Sequence, residues 1–239
     1  DAGKSVTTGD SNVLIGSNAG DALTTSGSVI AIGKDACGQG TDNCTQNVCI
    51  GGDAGAQVNE TKNTLVGFYC GKDLDSGEGN TAVGNYAFAS DQNSTVSGAN
   101  NTVVGRNAGQ SISSGNKNTL FGYYAGAGIQ NGATNVCIGP EAGGTGQISS
   151  ADNQLYIARN NTGANHSNTW IYGNSSGACY QGNNSSTWSQ TSDIRLKKDI
   201  VDSPKGLNEI NQLRVTNFYY REEDEIDMSE FPLAGEPRE

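Results

Sequence analysis

The chain has 239 residues, of which 34% are hydrophobic, 16% are charged and 34 are Gly. An ordinary globular domain is closer to half apolar, so this composition excludes a thick conventional core. The low charge, with Val, Ile and Thr on a fixed beat, excludes plain disorder, and a formal charge of −11 excludes a nucleic-acid binder that tracks phosphates with a basic stripe.

The chain opens at Asp1 with neither Met nor a signal peptide, as expected of a processed or truncated piece of something longer. A short phrase then repeats about eight times. A clear copy is Asn118-Thr119-Leu120-Phe121-Gly122-Tyr123-Tyr124-Ala125-Gly126. The frame returns from Asn12, Asn47, Asn63, Asn80, Asn101 and Asn135, and imperfectly around Ile30–Gly38. The Asn-to-Asn steps 63→80, 101→118 and 118→135 are each 17 residues, 47→63 is 16, and 80→101 is 21. Variation confined to one part of a short period is the mark of a solenoid with loops on one face. The expected fold is mainly β, a parallel β-roll of about eight coils over residues 1–143.

Each part of the phrase has a physical role. In Asn63-Thr64-Leu65-Val66, Thr64 and Val66 share one side of a strand while Leu65 takes the other. Apolar groups on both faces call for cover on both faces. One face fills the solenoid interior, and the other needs a second layer, most simply another chain. A constant Asn can stack into a hydrogen-bonded ladder, the Gly after the strand permits positive φ, and the Ala lets the chain pass close inside. Leu23, Val58, Leu74, Ile112 and Ile129 follow the small pair at a fixed distance as interior plugs.

Six Cys are present. Cys49 and Cys137 hold the same repeat position five coils apart, about 24 Å at the strand spacing of a sheet. That is far beyond the reach of a disulfide. Both read as small buried residues, and Cys70 replaces the recurrent Ala. Cys37 and Cys44 flank a short loop, where a bridge and two free thiols are equally open. With one His and no CxxC, neither a metal site nor any other cofactor is expected.

The phrase, as in Asn80-Thr81-Ala82-Val83-Gly84-Asn85-Tyr86-Ala87, resembles the repeats of the β-roll heads of trimeric autotransporter adhesins. It is still more similar to arrays in phage and algal-virus tail fibres. The resemblance covers roughly residues 10–143 and implies a left-handed β-roll in a homotrimer.

From Gly144 the beat fails. Gln154–Ala158, Thr169–Gly173 and Ala178–Tyr180 are strand-like runs separated by Asn, Gly and Ser, so 144–191 is expected to be a β neck or β-prism. No apolar run approaches the roughly 18–20 residues of a membrane helix, so no membrane insertion is expected. From Ser192 the composition turns to Lys, Arg, Asp and Leu. Ser203-Pro204 is a helix start, Leu207, Ile210 and Leu213 give one helical stripe, and Val215–Tyr220 reads as a strand. These last 48 residues carry 7 Lys and Arg against 12 Asp and Glu, so they too are acidic.

Ser192-Asp193-Ile194-Arg195-Leu196-Lys197-Lys198-Asp199-Ile200 resembles the opening signature of the intramolecular chaperone domain of phage tailspikes and endosialidases. That resemblance implies a segment that trimerises the fibre before it and then cuts itself off. Ser192 would attack the Thr191 carbonyl and Lys197 would act as the base. A Ser hydroxyl needs such a base, and Lys serves only with a lowered pKa. A retained, uncut trimerising cap over 192–239 is the alternative, and any enzyme activity here is at most this single turnover.

The two residues after each strand Gly are expected to face outward. They include Phe68, Tyr69, Tyr86, Arg106, Tyr123 and Tyr124, whose rings can stack on sugars or pack between chains of a trimer. Asp35, Asp53 and Glu141 share the second position and read as solvated carboxylates. The function expected is a trimeric fibre or spike on a virion surface, with other fibre proteins and a host glycan or protein receptor as partners. A polysaccharide-degrading tailspike or a cellular trimeric adhesin is the alternative. An ice-binding solenoid would show paired Thr, whereas Thr64, Thr81, Thr102 and Thr119 supply one per coil and Val replaces it in three copies.

Overall fold

A computed structural model describes residues 1–40, 43–90, 95–144, 148–160 and 168–182. The chain divides into Asp1–Ser189 and Gln190–Glu239, and every described residue belongs to the first unit. The expected helix and strand over 203–220, like Ser192 and Lys197, lie outside the described residues.

Each phrase makes a three-residue strand: β1 Val13–Ile15, β2 Ile30–Ile32, β3 Val48–Ile50, β4 Thr64–Val66, β5 Thr81–Val83, β6 Thr102–Val104, β7 Thr119–Phe121 and β8 Val136–Ile138. Neighbours in sequence are neighbours in space, all parallel and in strict register, so that Leu65 pairs with Ala82 and Val103 with Leu120. This is a β-solenoid of about eight turns, all β among the described residues. The sheet runs on beyond the last clear repeat. β9 (Leu155–Ala158) adds to β8 in parallel, then β10 (Thr169–Gly173) and β11 (Cys179–Gln181) follow antiparallel.

The middle residue of each strand points inward. Ala31, Cys49, Leu65, Ala82, Val103, Leu120 and Cys137 are fully buried, as are the turn residues Ala36, Ala54, Cys70, Ala87, Ala108, Ala125 and Ala142. The plugs Leu23, Val58, Leu74, Ile112 and Ile129 complete the interior. In the coil that carries the insertion Val96 takes the plug position, bridged in parallel to Leu74. Each coil gives the core a strand centre, a small turn residue and a plug, which is why a chain only 34% hydrophobic can fill it.

The Asn column closes one corner. The Asn63, Asn80, Asn101, Asn118 and Asn135 side chains are buried. Each Oδ1 accepts the backbone N–H of its successor at 2.8–2.9 Å, ending with Gln154, whose N–H donates to Asn135 Oδ1. Each Nδ2 donates to a carbonyl of the next coil, as Asn101 does to Gly115 at 2.9 Å. A side-chain amide thereby satisfies backbone groups that the three-residue strands leave over. At the opposite end of each strand a Gly is obligatory. Gly105 has φ +137°, and a Cβ there would lie 2.3 Å from the Gly122 carbonyl oxygen of the next coil.

Side-chain volumes are matched within coils. The residue after the turn Ala is Gly wherever the strand core residue is large: a Cβ on Gly71 would meet Leu65 at 2.8 Å, and one on Gly126 would meet Leu120 at 2.6 Å. In the two coils whose core residue is Ala31 or Ala82, that Gly is replaced by Cys37 or Phe88. Both are fully buried, in the same left-handed conformation at φ 45° and 54°.

The disulfide reading is corrected by this rule. Cys37 bonds not to Cys44 but to Cys49, one coil on, with Cα atoms 6.2 Å apart. The position after the turn Ala looks inward at the core residues of its own and the following coil, as Gly55 shows toward Cys49 and Leu65. Cys37 therefore faces the core cysteine of the next coil. Cys44 is a buried free thiol that accepts from Asn47 Nδ2 at 3.2 Å. Burial pushes it up to about 11. Cys70 and Cys137 are also free and buried, and burial pushes both up to about 12.

Candidate functional site

After each strand Gly the chain exposes two residues before the turn Ala returns inside, and parallel register stacks them into two columns. The first column contains Phe68, Asn85, Arg106 and Tyr123; the second contains Asn18, Asp35, Asp53, Tyr69, Tyr86, Asn107, Tyr124 and Glu141. Every member of the second column has positive φ, between 53° and 58°. From Asp35 onward, the backbone N–H of each donates to the first-column carbonyl of the preceding coil, as Tyr86 does to Phe68 at 2.9 Å and Tyr124 to Arg106 at 3.0 Å. The scaffold thus fixes the spacing of these side chains independently of their identity.

The sequence-predicted aromatic residues form two groups. Tyr69 and Tyr86 stack with ring centres 5.0 Å apart and planes 14° apart, and Phe68 lies edge-on to Tyr69 at 4.2 Å. Two coils further on, Tyr123 lies edge-on to Tyr124 at 4.5 Å, with the Arg106 guanidinium 5.6 Å from the Tyr123 ring centre. Phe68, Tyr86 and Tyr123 are exposed, as is Arg106, whereas Tyr69 and Tyr124 are half-buried.

A groove of about 480 Å³ runs along the second column from Tyr69 past Tyr86 and Asn107 to Tyr124. Its other side is built by residues three positions after that column, Lys72, Ala89 and Gln110, with Ser90 beside them. Phe68, Arg106 and Tyr123 are not among its lining residues. The sequence signal missed Lys72, Asn107 and Gln110: Asn107 stands in the second column, and Lys72 and Gln110 each stand three residues after a member of it. The Lys72 ammonium lies 2.8 Å from Asp73 Oδ1 and 5.9 Å from the Tyr69 ring centre. Asp73 is almost fully buried and also accepts the Ser90 N–H through Oδ2 at 3.1 Å. The Asn107 Nδ2 donates to Gln110 Oε1 at 2.8 Å, while its Oδ1 is buried with no hydrogen-bond partner.

The carboxylates of the second column do not converge. Asp35 accepts from Lys34 and, at 2.9 Å, from Asn18 Nδ2; these two bonds, Lys34 first, hold it below the usual carboxylate range. Among the described residues no three His, Cys, Asp or Glu side chains gather where they could hold a metal ion.

A second surface lies on the strands themselves. Val13, Ile15, Ile50, Val83, Phe121 and Ile138, the flanking residues of the inward-pointing core positions, are exposed. In register they form an apolar band on the outer face of the sheet.

Residues 192–231 match the family model described as the chaperone of endosialidase. No curated protein matches the chain, and no solved structure matches it either.

Proposed function

We propose that this chain is part of a homotrimeric fibre or spike on a virion surface that meets a host surface, with its C-terminal segment acting as a trimerising chaperone. The observation that carries the reading is an order of parts. A segment similar to the endosialidase chaperone follows a solenoid whose strands keep an apolar outer face in water. Eight strands at the ordinary spacing make that face roughly 38 Å long, with an unbroken apolar column from Ile15 to Ile138 along one edge and Thr in four of the eight places along the other. Contiguous apolar patches of a few hundred Å² on a chain's surface are often functional. Three copies covering one another's bands would supply the second layer that the two-sided strands require.

In this reading the outward columns carry the contact with the host, and other fibre proteins hold the shaft to the particle. The segment from Ser192 is a retained cap; the competing reading, cleavage before Ser192 with Lys197 as base, is supported by the signature Ser192–Ile200. A polysaccharide-degrading spike differs by turnover on purified host polysaccharide. The deciding measurement is light scattering on the full chain. A mass near three times 24.7 kDa is expected, and a monomer at all concentrations overturns the proposal.

A further inference from the structure

Tyr69 and Tyr86 stack as successive rungs of the second column, the next rung is Asn107, and the one after is Tyr124. The aromatic ladder therefore has one rung missing. Two coil spacings separate the backbones of Tyr86 and Tyr124, about 10 Å. A flat ring held between two faces needs roughly 7 Å, twice a carbon–carbon contact distance. The gap suits one six-membered ring.

The rest of the groove sets the chemistry of that ring. Lys72 supplies the only cationic group of the lining, and its charge is answered by the buried Asp73 carboxylate at 2.8 Å. The chain as a whole carries −11. An anionic ligand would be repelled at long range, and among the lining residues it would find no unanswered positive charge. Asn107 and Gln110 share a single hydrogen bond, and Asn107 Oδ1 is left without a donor. A buried unpaired acceptor is costly, and a hydroxyl that enters as the Gln110 amide swings aside would satisfy it. Tyrosine faces, side-chain amides and a neutralised lysine fit a ring that is apolar on its faces and hydroxylated at its edge.

We propose that the groove between Tyr86 and Tyr124 binds a sugar ring of a neutral oligosaccharide, seated on Asn107. This rests on the reading of the outward columns as the host-contacting surface, and names the class of ligand they take. Asn107 is the position that decides, because a ring there would close the gap. The variant Asn107→Tyr tests this without backbone strain, since Tyr86 and Tyr124 already hold tyrosine at φ 54° and 53° in the same place.

The experiment titrates the full chain with maltohexaose, laminarihexaose, cellohexaose and mannohexaose, and with hexagalacturonate as the acidic comparator, following tyrosine fluorescence and ligand saturation-transfer signals. At least one neutral hexasaccharide is expected to bind more tightly than hexagalacturonate. Asn107→Tyr should weaken that binding at least tenfold with the circular dichroism spectrum unchanged, and Asn107→Ala should weaken it less. Binding unaffected by Asn107→Tyr, binding of hexagalacturonate alone, or no binding by any neutral probe at millimolar concentration would each overturn the proposal. Adsorption of the wild type and Asn107→Tyr to intact host cells separates the two levels: undiminished adsorption of both refutes the groove and leaves the attachment reading standing.

Discussion

The backbone N–H of Asn118 donates to Asn101 Oδ1 at 2.9 Å, and the Asn118 side-chain amide reaches the same oxygen at 3.1 Å. Asn101 Nδ2 donates in turn to the Gly115 carbonyl at 2.9 Å. One buried side chain thus serves three groups, two of them on the backbone, and it can do so only because parallel register brings the next Asn to the same place.

Replacing Asn101 by Ala should therefore destabilise the solenoid by about 3 kcal/mol, because buried donors and an acceptor lose partners that water cannot replace. Asn116→Ala removes the bond to the Ala99 N–H at 2.7 Å, but at an exposed corner. It should shift the guanidinium midpoint by less than a third as much. Equal shifts would show that the ladder contributes no more than a surface bond.

The pairing of Ala82 with Phe88 predicts a reversal of sign in a double variant. Ala82→Leu overfills the coil and should cost about 1–3 kcal/mol, and Phe88→Gly leaves a cavity that costs about 3–5 kcal/mol. The combination Ala82→Leu with Phe88→Gly recreates the arrangement of the coils around Leu65 and Leu120. It should unfold within about 1 kcal/mol of the wild type, a coupling readable from a double-mutant cycle.

Cysteine chemistry offers a count. Cys179 is exposed, Cys44, Cys70 and Cys137 are buried, and Cys37 is bonded to Cys49. Brief alkylation at neutral pH should label one thiol per chain, alkylation after denaturation four, and alkylation after denaturation and reduction six. Four labels added to the folded protein would refute the burial of the interior cysteines.

The same thiols make stability depend on pH. Burial raises Cys44 to about 11 and Cys70 and Cys137 to about 12, from an ordinary value of 9.0. Above pH 9 the unfolded chain releases these protons while the folded chain keeps them, so the folded state binds more and loses stability as pH rises. Their contribution should be complete below pH 9 and should fall between 9 and 12. Thermal midpoints of wild type and Cys137→Ala should converge as pH climbs through that window; parallel curves would exclude the linkage.

Association should depend on the outer strand face. Phe121→Glu places a carboxylate on the apolar band without touching the inward Leu120. It should lower the scattering mass toward a single chain while the circular dichroism spectrum is kept. An unchanged mass would place the interface elsewhere.

Much of this fold is legible in the period of the sequence. Parallel register follows from a constant spacing, and the Asn column, the strand Gly and the interior plugs stand where the beat puts them. The disulfide was not legible, because the eye pairs Cys37 with Cys44 across a loop. The turn that matters points Cys37 inward, and its direction comes from a positive φ that Cys rarely adopts. The groove was half legible. Tyr69, Tyr86 and Tyr124 were visible as outward residues, but Lys72 and Gln110 belong to a neighbouring column whose composition varies too much to read as one. Asn107 in turn matters by being smaller than its neighbours, which no motif marks.

The left-handed conformation shared by Asn18, Asp35, Asp53, Tyr69, Tyr86, Asn107, Tyr124 and Glu141 has a consequence for how such a shaft can diverge. None of these eight is β-branched, and that backbone region disfavours Val, Ile and Thr. From Asp35 onward their backbone N–H groups are bonded to the preceding coil, so that bond does not depend on the side chain. The outer surface is therefore writable in an alphabet of unbranched and amide-bearing residues, one letter per turn. That column could be respelled while the spine behind it stays as it is.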